Sequence, residues 1–126
     1  MFHLSLVAAG GAIGAAARHL VNLGALRLFG PGFPVGTLAV NVVGCLLMGV
    51  LAGALAARSD AAGQGMRLFL ATGILGGFTT FSAFSLDAVL LWERGEAAAA
   101  LGYVLASVLL SIGALLVGLS LVRALA

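Results

Sequence analysis

Residues 76–85 read GGFTTFSAFS and interrupt a long apolar stretch with residues that do not suit an ordinary membrane helix. The third apolar segment, residues 66–91, is longer than the ~20 residues that span the bilayer core, so it can accommodate an interruption. One outcome is a helix break near residues 76–80, where free backbone carbonyls could bind a small cation. The alternative is a continuous helix in which the glycines allow a close crossing and Thr79 and Thr80 bond back to the preceding turn.

The composition of the chain indicates that its solvent is lipid. Of the 126 residues, 63% are hydrophobic and 8% are charged, and the mean hydropathy is +1.24. A soluble domain carries about 25% charged residues. The six basic residues are dispersed arginines, which gives no indication of a nucleic-acid partner. A single cysteine, Cys45, excludes a disulfide framework and a thiolate metal cluster.

Four apolar segments are long enough to cross a bilayer as helices, at about residues 4–26, 36–57, 66–91 and 97–122. The short breaks between them carry most charges and both prolines, so residues 1–126 are predicted to form one all-α transmembrane domain. Arginines in the loops are almost equally divided between the two sides, which leaves orientation weakly specified. The chain could insert both ways and pair as an antiparallel, dual-topology homodimer. The alternative is that a bias of one arginine fixes a single orientation.

Small residues recur at four-residue spacing in three of the segments. The chain has 19 glycines, and the pairs are Gly10/Gly14, Gly49/Gly53 and Gly73/Gly77. In lipid, helices associate where small residues let their backbones approach. This pattern favours a tightly packed oligomer over a single four-helix bundle.

Several polar and aromatic residues lie at helical spacing within the apolar segments. Phe81 and Phe84 share one face, where they either pack the core or direct their positive ring edges at an anion. Tyr103, Ser107 and Ser111 form a hydroxyl stripe, which either lines an anion path or packs helices.

Two further side chains are costly to bury at bilayer depth. The amide of Asn41 either donates to an anion or bonds a neighbouring helix. Arg18 lies deep in the first segment, where it either attracts anions at the mouth of a cavity or extends to the interface.

These motifs resemble the CrcB/Fluc family of small fluoride channels, and the resemblance covers the whole chain through GAIGAAAR, GTLAVN and GGFTTFSAFS. It implies an antiparallel homodimer with two fluoride pores and a sodium ion (Na+) at its centre, held by the carbonyls of Gly76 and Thr79 in a break of the third helix near residues 76–80. By the same resemblance the pore residues are Asn41, Phe81, Phe84, Tyr103, Ser107 and Ser111, and Arg18 lies near an aqueous vestibule. Ala83 departs from the family, which often has a hydroxyl residue there.

The implied function is passive export of fluoride through the inner or plasma membrane of a prokaryote. No catalytic set is visible, so an enzyme is not expected. One rival is a proton-coupled multidrug exporter, but such carriers have a carboxylate in the first span and this chain has none. A second rival is a purely structural membrane protein, which leaves the stripes of polar residues unexplained.

Overall fold

The computed structural model describes all 126 residues, and the chain is entirely helical. Four helices are long and apolar enough to cross a membrane: Phe2–Phe29, Val35–Leu55, Ala61–Glu93 and Ala97–Leu125. We call them the first to fourth helices. The prediction of an all-α protein with four membrane-spanning helices is confirmed.

The third helix is broken, as the sequence predicts. Its first half consists of Ala61–Met66, a π-helical stretch Arg67–Leu75 and a last turn Gly76–Phe78, and its second half is Ser82–Glu93. Between the halves, Thr79 is extended, with φ −88° and ψ 160°. A π-helical stretch is rare and is frequently found at functional sites. Two departures from α-helical winding therefore follow one another within a single span.

Glycines allow the first helix to cross the first half of the third helix at backbone contact. A Cβ on Gly14 would overlap the carbonyl of Ile74, and a Cβ on Gly77 would lie 2.6 Å from the carbonyl oxygen of Gly11. The second and fourth helices cross in the same way through Gly49 and Gly118.

The glycine pairs predicted from their spacing thus pack helices of one chain. Gly10 approaches the backbone of Gly73, and Gly53 contacts Val122. Each contact is within the chain, so the spacing does not by itself indicate an oligomer. The oligomer that the spacing favours stays a prediction, because spacing identifies a contact face and does not identify the helix that covers it.

The second half of the third helix packs against the fourth helix through a small apolar core. Phe84, Leu91, Ala100 and Tyr103 form this cluster. Only 17 of the 126 residues are buried in the single chain. Most large apolar side chains therefore face outward, as expected when the surroundings are lipid rather than water.

Charged side chains at the helix ends connect the loops. Arg94 donates to the carbonyl of Gly32 at 2.8 Å and pairs with Glu96 at 3.3 Å. Arg67 donates to the carbonyl of Leu55, where a cation is favourable at the carbonyl end of a helix. These contacts join the ends of successive helices.

Candidate functional site

The helix break is held open by the side chain of Asn41 on the second helix. Its amide nitrogen donates to the carbonyl of Thr80 at 2.9 Å, and its amide oxygen accepts from the backbone N–H of Thr80 at 2.7 Å. In a continuous helix that N–H would donate to the carbonyl of Gly76. Asn41 therefore satisfies both backbone groups of Thr80 and leaves the Gly76 carbonyl without its helical partner.

Thr80 also begins the second half of the third helix. Its hydroxyl oxygen accepts from the backbone N–H of Ala83 at 3.1 Å, the geometry of an N-cap. The helical acceptor for that N–H would be the carbonyl of Thr79. The family resemblance assigns the carbonyls of Gly76 and Thr79 to sodium. The N–H groups that would bond them in a helix donate instead to the side chains of Asn41 and Thr80.

The alternative to a break was that the threonines bond back to the preceding turn. Thr79 makes such bonds although the helix is broken. The hydroxyl and the backbone N–H of Thr79 both donate to the carbonyl of Leu75, at 2.9 and 3.0 Å. Gly77 also makes the close crossing with the first helix, whereas Gly76 is exposed. The bonds from Thr79 to Leu75 close the last turn of the first half of the helix. The bonds made by Asn41 and Thr80 prevent the helix from continuing across the gap.

Arg18 lies at the break. Its Nε donates to the carbonyl of Gly77 at 3.1 Å, and the side chain is half-buried. A cation is favourable there because the carbonyl end of a helix carries partial negative charge. Arg18 therefore contacts the third carbonyl of the interrupted turn.

A cavity of ≈ 370 Å³ lies beside the break and brings most of the predicted pore residues together. Its lining is Asn41, Cys45, Thr79, Thr80, Phe81, Phe84, Ser107, Val108, Ser111 and Ile112. The hydroxyl oxygens of Ser107 and Ser111 are buried and have no hydrogen-bond partner. Because a buried hydroxyl ordinarily finds a partner, these two hydroxyls are available to a polar ligand in the cavity.

The two predicted phenylalanines lie together at this cavity but differ in exposure. Their ring centroids are 5.4 Å apart, with planes tilted by 53°. Phe84 is buried, whereas Phe81 is 76% exposed in the single chain. Phe84 is therefore anchored by its own chain, and Phe81 projects away from it.

Tyr103 is placed differently from the two serines on its stripe. Its ring is fully buried between Phe33 and Phe84, with centroid distances of 5.5 and 5.3 Å. Its hydroxyl donates to Asp87 at 3.0 Å. The one proton of the Tyr103 hydroxyl is therefore bonded to a carboxylate rather than directed into the cavity beside the break.

A second cavity, of ≈ 400 Å³, lies next to residues 30–34 and extends to Thr37, Ala83 and Asp87, with Arg94 also in its lining. Tyr103 bonds Asp87, which lines this cavity, and its ring lies at a tilt of 46° against Phe84, which lines the other. Arg18 lines neither of them. Neither the bond between Tyr103 and Asp87 nor the role of Thr80 in opening the break was predicted from the sequence.

Comparison with known proteins identifies the family. Residues 5–119 match the model described as CrcB-like protein, Camphor Resistance (CrcB). Three relatives are each named fluoride-specific ion channel FluC. That from Mesorhizobium japonicum is 58% identical over 125 residues, with 99% of each chain covered. That from Paracoccus denitrificans is 61% identical over 119 residues, 94% of this chain and 93% of its own. That from Rhizobium etli is 59% identical over 126 residues, the full length of both.

The family match covers the four membrane-spanning helices, the break and the cavity described above. The protein is a multi-pass membrane protein of a prokaryotic inner membrane, and it is not an enzyme. On the near-complete family match and on relatives about 60% identical, the chain belongs to the CrcB-like family.

Proposed function

We propose that the protein is a fluoride-specific ion channel that lets fluoride leave the cytoplasm passively and so relieves fluoride toxicity. The observation that carries this proposal is the pair of buried, unpartnered hydroxyls of Ser107 and Ser111 beside two phenylalanine rings. Fluoride is small and strongly hydrated, so a conducting path must replace its water with other donors. Two hydroxyls one helical turn apart can donate to the anion in succession.

Other groups in the same cavity complete the replacement of water. The rings of Phe81 and Phe84 have positive edges, which attract an anion without offering a hydrogen bond. The Asn41 amide nitrogen carries two protons, and only one donates to the carbonyl of Thr80. Tyr103 would join the path only when its hydroxyl leaves Asp87. The donors are thus uncharged, which allows the anion to leave as well as to bind.

Passive export follows from general chemistry. Fluoride crosses lipid as the neutral acid and dissociates in the cytoplasm, where the anion is trapped. A membrane potential supplies about 2.3 kcal/mol per 100 mV to each expelled anion. A channel is therefore sufficient, and no coupling ion or nucleotide is needed.

We propose that the working unit is an antiparallel homodimer with the two breaks facing each other. In one chain Gly76, Phe81 and Ser82 are exposed at the break. Irregular backbone at membrane depth is tolerated only where protein or a water-filled cavity covers it. A second, inverted copy would cover this face, and the nearly even distribution of loop arginines is compatible with insertion in both orientations.

The exposed break also fits the structural sodium ion that the family resemblance implies. The carbonyls of Gly76 and Thr79 lack their helical N–H donors, as described above, and carbonyl oxygens are suitable ligands for a hard monovalent cation. When bound between two chains, the ion would neutralise the converging carbonyl dipoles and hold the chains together. Removing sodium from the purified protein is expected to weaken the dimer.

Fluoride release from liposomes tests the proposal. Purified protein in vesicles loaded with fluoride should release it far faster than protein-free vesicles, and far faster than chloride leaves matched chloride-loaded vesicles. Equal release of the two anions, or no release above protein-free vesicles, would contradict the channel assignment. Labelling of a C-terminal tag from both sides of the membrane tests dual topology, which labelling from one side alone would exclude.

Ring substitutions test the role of the aromatic edges in the same assay. Phe81→Ile removes an exposed ring, and Phe84→Met removes a buried ring with little change in volume. A contact between two aromatic rings is worth about 0.5–1.5 kcal/mol. If a ring edge stabilises the anion by a similar amount, each change should reduce fluoride release by roughly 2- to 12-fold at 1.4 kcal/mol per tenfold. Release at the unmodified rate in both variants, with the dimer intact, would show that the rings serve packing only.

A further inference from the structure

We propose that Arg18 is a positioning residue for the helix break: by holding the carbonyl of Gly77, it fixes the turn that presents the carbonyls of Gly76 and Thr79. This inference rests on the proposed function, because those two carbonyls are the ones proposed to bind sodium. It gives Arg18 a role at the centre of the protein that differs from attracting anions at a vestibule.

The position of Arg18 along the first helix supports this role. Arg18 lies 11 residues before Phe29, the last residue of that helix. At 1.5 Å per residue, the distance to the helix end is about 16 Å. An arginine at such depth needs a partner inside the protein. Its Nε finds one in the Gly77 carbonyl, at 3.1 Å.

The glycine crossing brings this donor and acceptor together. A Cβ on Gly77 would lie 2.6 Å from the carbonyl oxygen of Gly11 and 3.1 Å from the backbone nitrogen of Ala15. Arg18 follows one turn after Gly14, whose own Cβ would overlap the backbone of Ile74. The close backbone crossing therefore places the guanidinium at the end of the first half of the third helix and allows the two helices little movement relative to each other.

With this contact, the carbonyls at the break fall into two groups: those that accept a hydrogen bond within the chain, and those of Gly76 and Thr79, which lack their helical donors. The carbonyl of Leu75 accepts from Thr79, and that of Gly77 accepts from Arg18. In a regular helix the Gly77 carbonyl would accept from the N–H of Phe81 and so continue the helix across the gap. Arg18 gives this carbonyl a charged donor where the helix is interrupted, and a charge-assisted hydrogen bond is roughly twice as strong as a neutral one. The contact therefore stabilises the turn that ends the first half of the third helix.

Simple electrostatics makes the opposite prediction and provides the discriminating test. If Arg18 acted on sodium only through its positive charge, removing the charge would strengthen sodium binding. If Arg18 acted on fluoride only by long-range attraction, its removal would slow release in a way that high salt abolishes. If Arg18 is a positioning residue, its removal weakens sodium binding, and high salt does not restore that binding.

The experiment measures the sodium concentration at which purified full-length protein is half dimeric, by cross-linking in detergent, for wild type and Arg18→Met. The matched control is Arg123→Met, because Arg123 is an exposed arginine with no hydrogen bond to the rest of the chain. We expect the midpoint to rise by about tenfold or more in Arg18→Met and to stay unchanged in Arg123→Met. A midpoint within twofold of wild type, or a lower one, would overturn the proposal.

Hydrogen–deuterium exchange of the peptide containing residues 76–85 keeps the two proposals separable. If wild type shows no sodium dependence, the sodium part of the proposed function fails. Arg18 is then judged by whether Arg18→Met changes exchange in this peptide more than in the rest of the chain. If Arg18→Met changes exchange equally throughout the chain, the proposed positioning role is overturned.

Should Arg18→Met not fold, Arg18→Lys keeps the charge and a donor, and its sodium midpoint should lie between wild type and a tenfold increase. A midpoint equal to or below wild type in Arg18→Lys overturns the proposal.

Discussion

Asn41→Ala is the substitution that most directly tests how the third helix is held open. It removes both hydrogen bonds to Thr80, at 2.9 and 2.7 Å, and leaves a backbone N–H and carbonyl without partners. Hydrogen bonds between helices in a membrane average about 0.6 kcal/mol and reach about 1.7 kcal/mol. The loss of two therefore predicts a destabilisation of about 1–3 kcal/mol, and fluoride release should fall because Thr80 no longer keeps its position beside the cavity.

The stability change can be measured by unfolding in mixed detergent micelles with increasing dodecyl sulfate, followed by circular dichroism at fixed protein concentration. Asn22→Ala is a matched control, since Asn22 is a membrane-embedded asparagine on the first helix whose amide makes none of the hydrogen bonds at the break. Its midpoint should shift much less than that of Asn41→Ala. If Asn41→Ala unfolds within about 0.3 kcal/mol of wild type and releases fluoride normally, Asn41 does not maintain the break.

Three other substitutions follow from the same contacts. Ser107→Ala and Ser111→Ala each delete a buried hydroxyl that has no partner. Removing an unsatisfied hydroxyl should leave unfolding stability unchanged or raise it by up to about 1 kcal/mol, while fluoride release falls; unchanged release in both variants would exclude the serines from the path. Gly14→Ala introduces a Cβ against the backbone of Ile74 and should cost about 1–3 kcal/mol. Gly102→Ala is the control, because it lies at an exposed site with open space around it, and it should be neutral or stabilising. If Gly14→Ala and Gly102→Ala change the unfolding free energy equally in the same assay, the close crossing at Gly14 is contradicted.

The possibility of a break was predictable from sequence because glycines and threonines weaken a helix locally. Gly76, Gly77, Thr79 and Thr80 lie in a segment longer than a span and allow either a break or a continuous helix, and the family resemblance implied the break. The partner that opens it was not predictable in detail, since Asn41 and Thr80 are 39 residues apart along the chain. Their pairing depends on how the second helix is rotated against the third. A polar stripe defines a face of a helix but not the group opposite it.

The same limit explains the other differences between sequence and structure. Ser107 and Ser111 line a cavity as their spacing suggests, but Tyr103 on the same stripe donates to Asp87 because the third and fourth helices pack closely there. Arg18 was recognised as deep and charged, and its contact with Gly77 followed only from the glycine crossing. Helical periodicity therefore indicated the candidate site residues, and tertiary packing decided which group each of them bonds.

The reversal potential of the current through purified protein in a planar bilayer tests the central claim most directly. With a tenfold fluoride gradient balanced by a large impermeant anion, and with equal chloride and equal sodium on both sides, the current through a fluoride-specific pore should reverse about 59 mV from zero, with the sign set by a univalent anion. Reversal near zero would mean that chloride or sodium carries the current, and it would contradict a fluoride-specific path along Ser107, Ser111 and the phenylalanine edges.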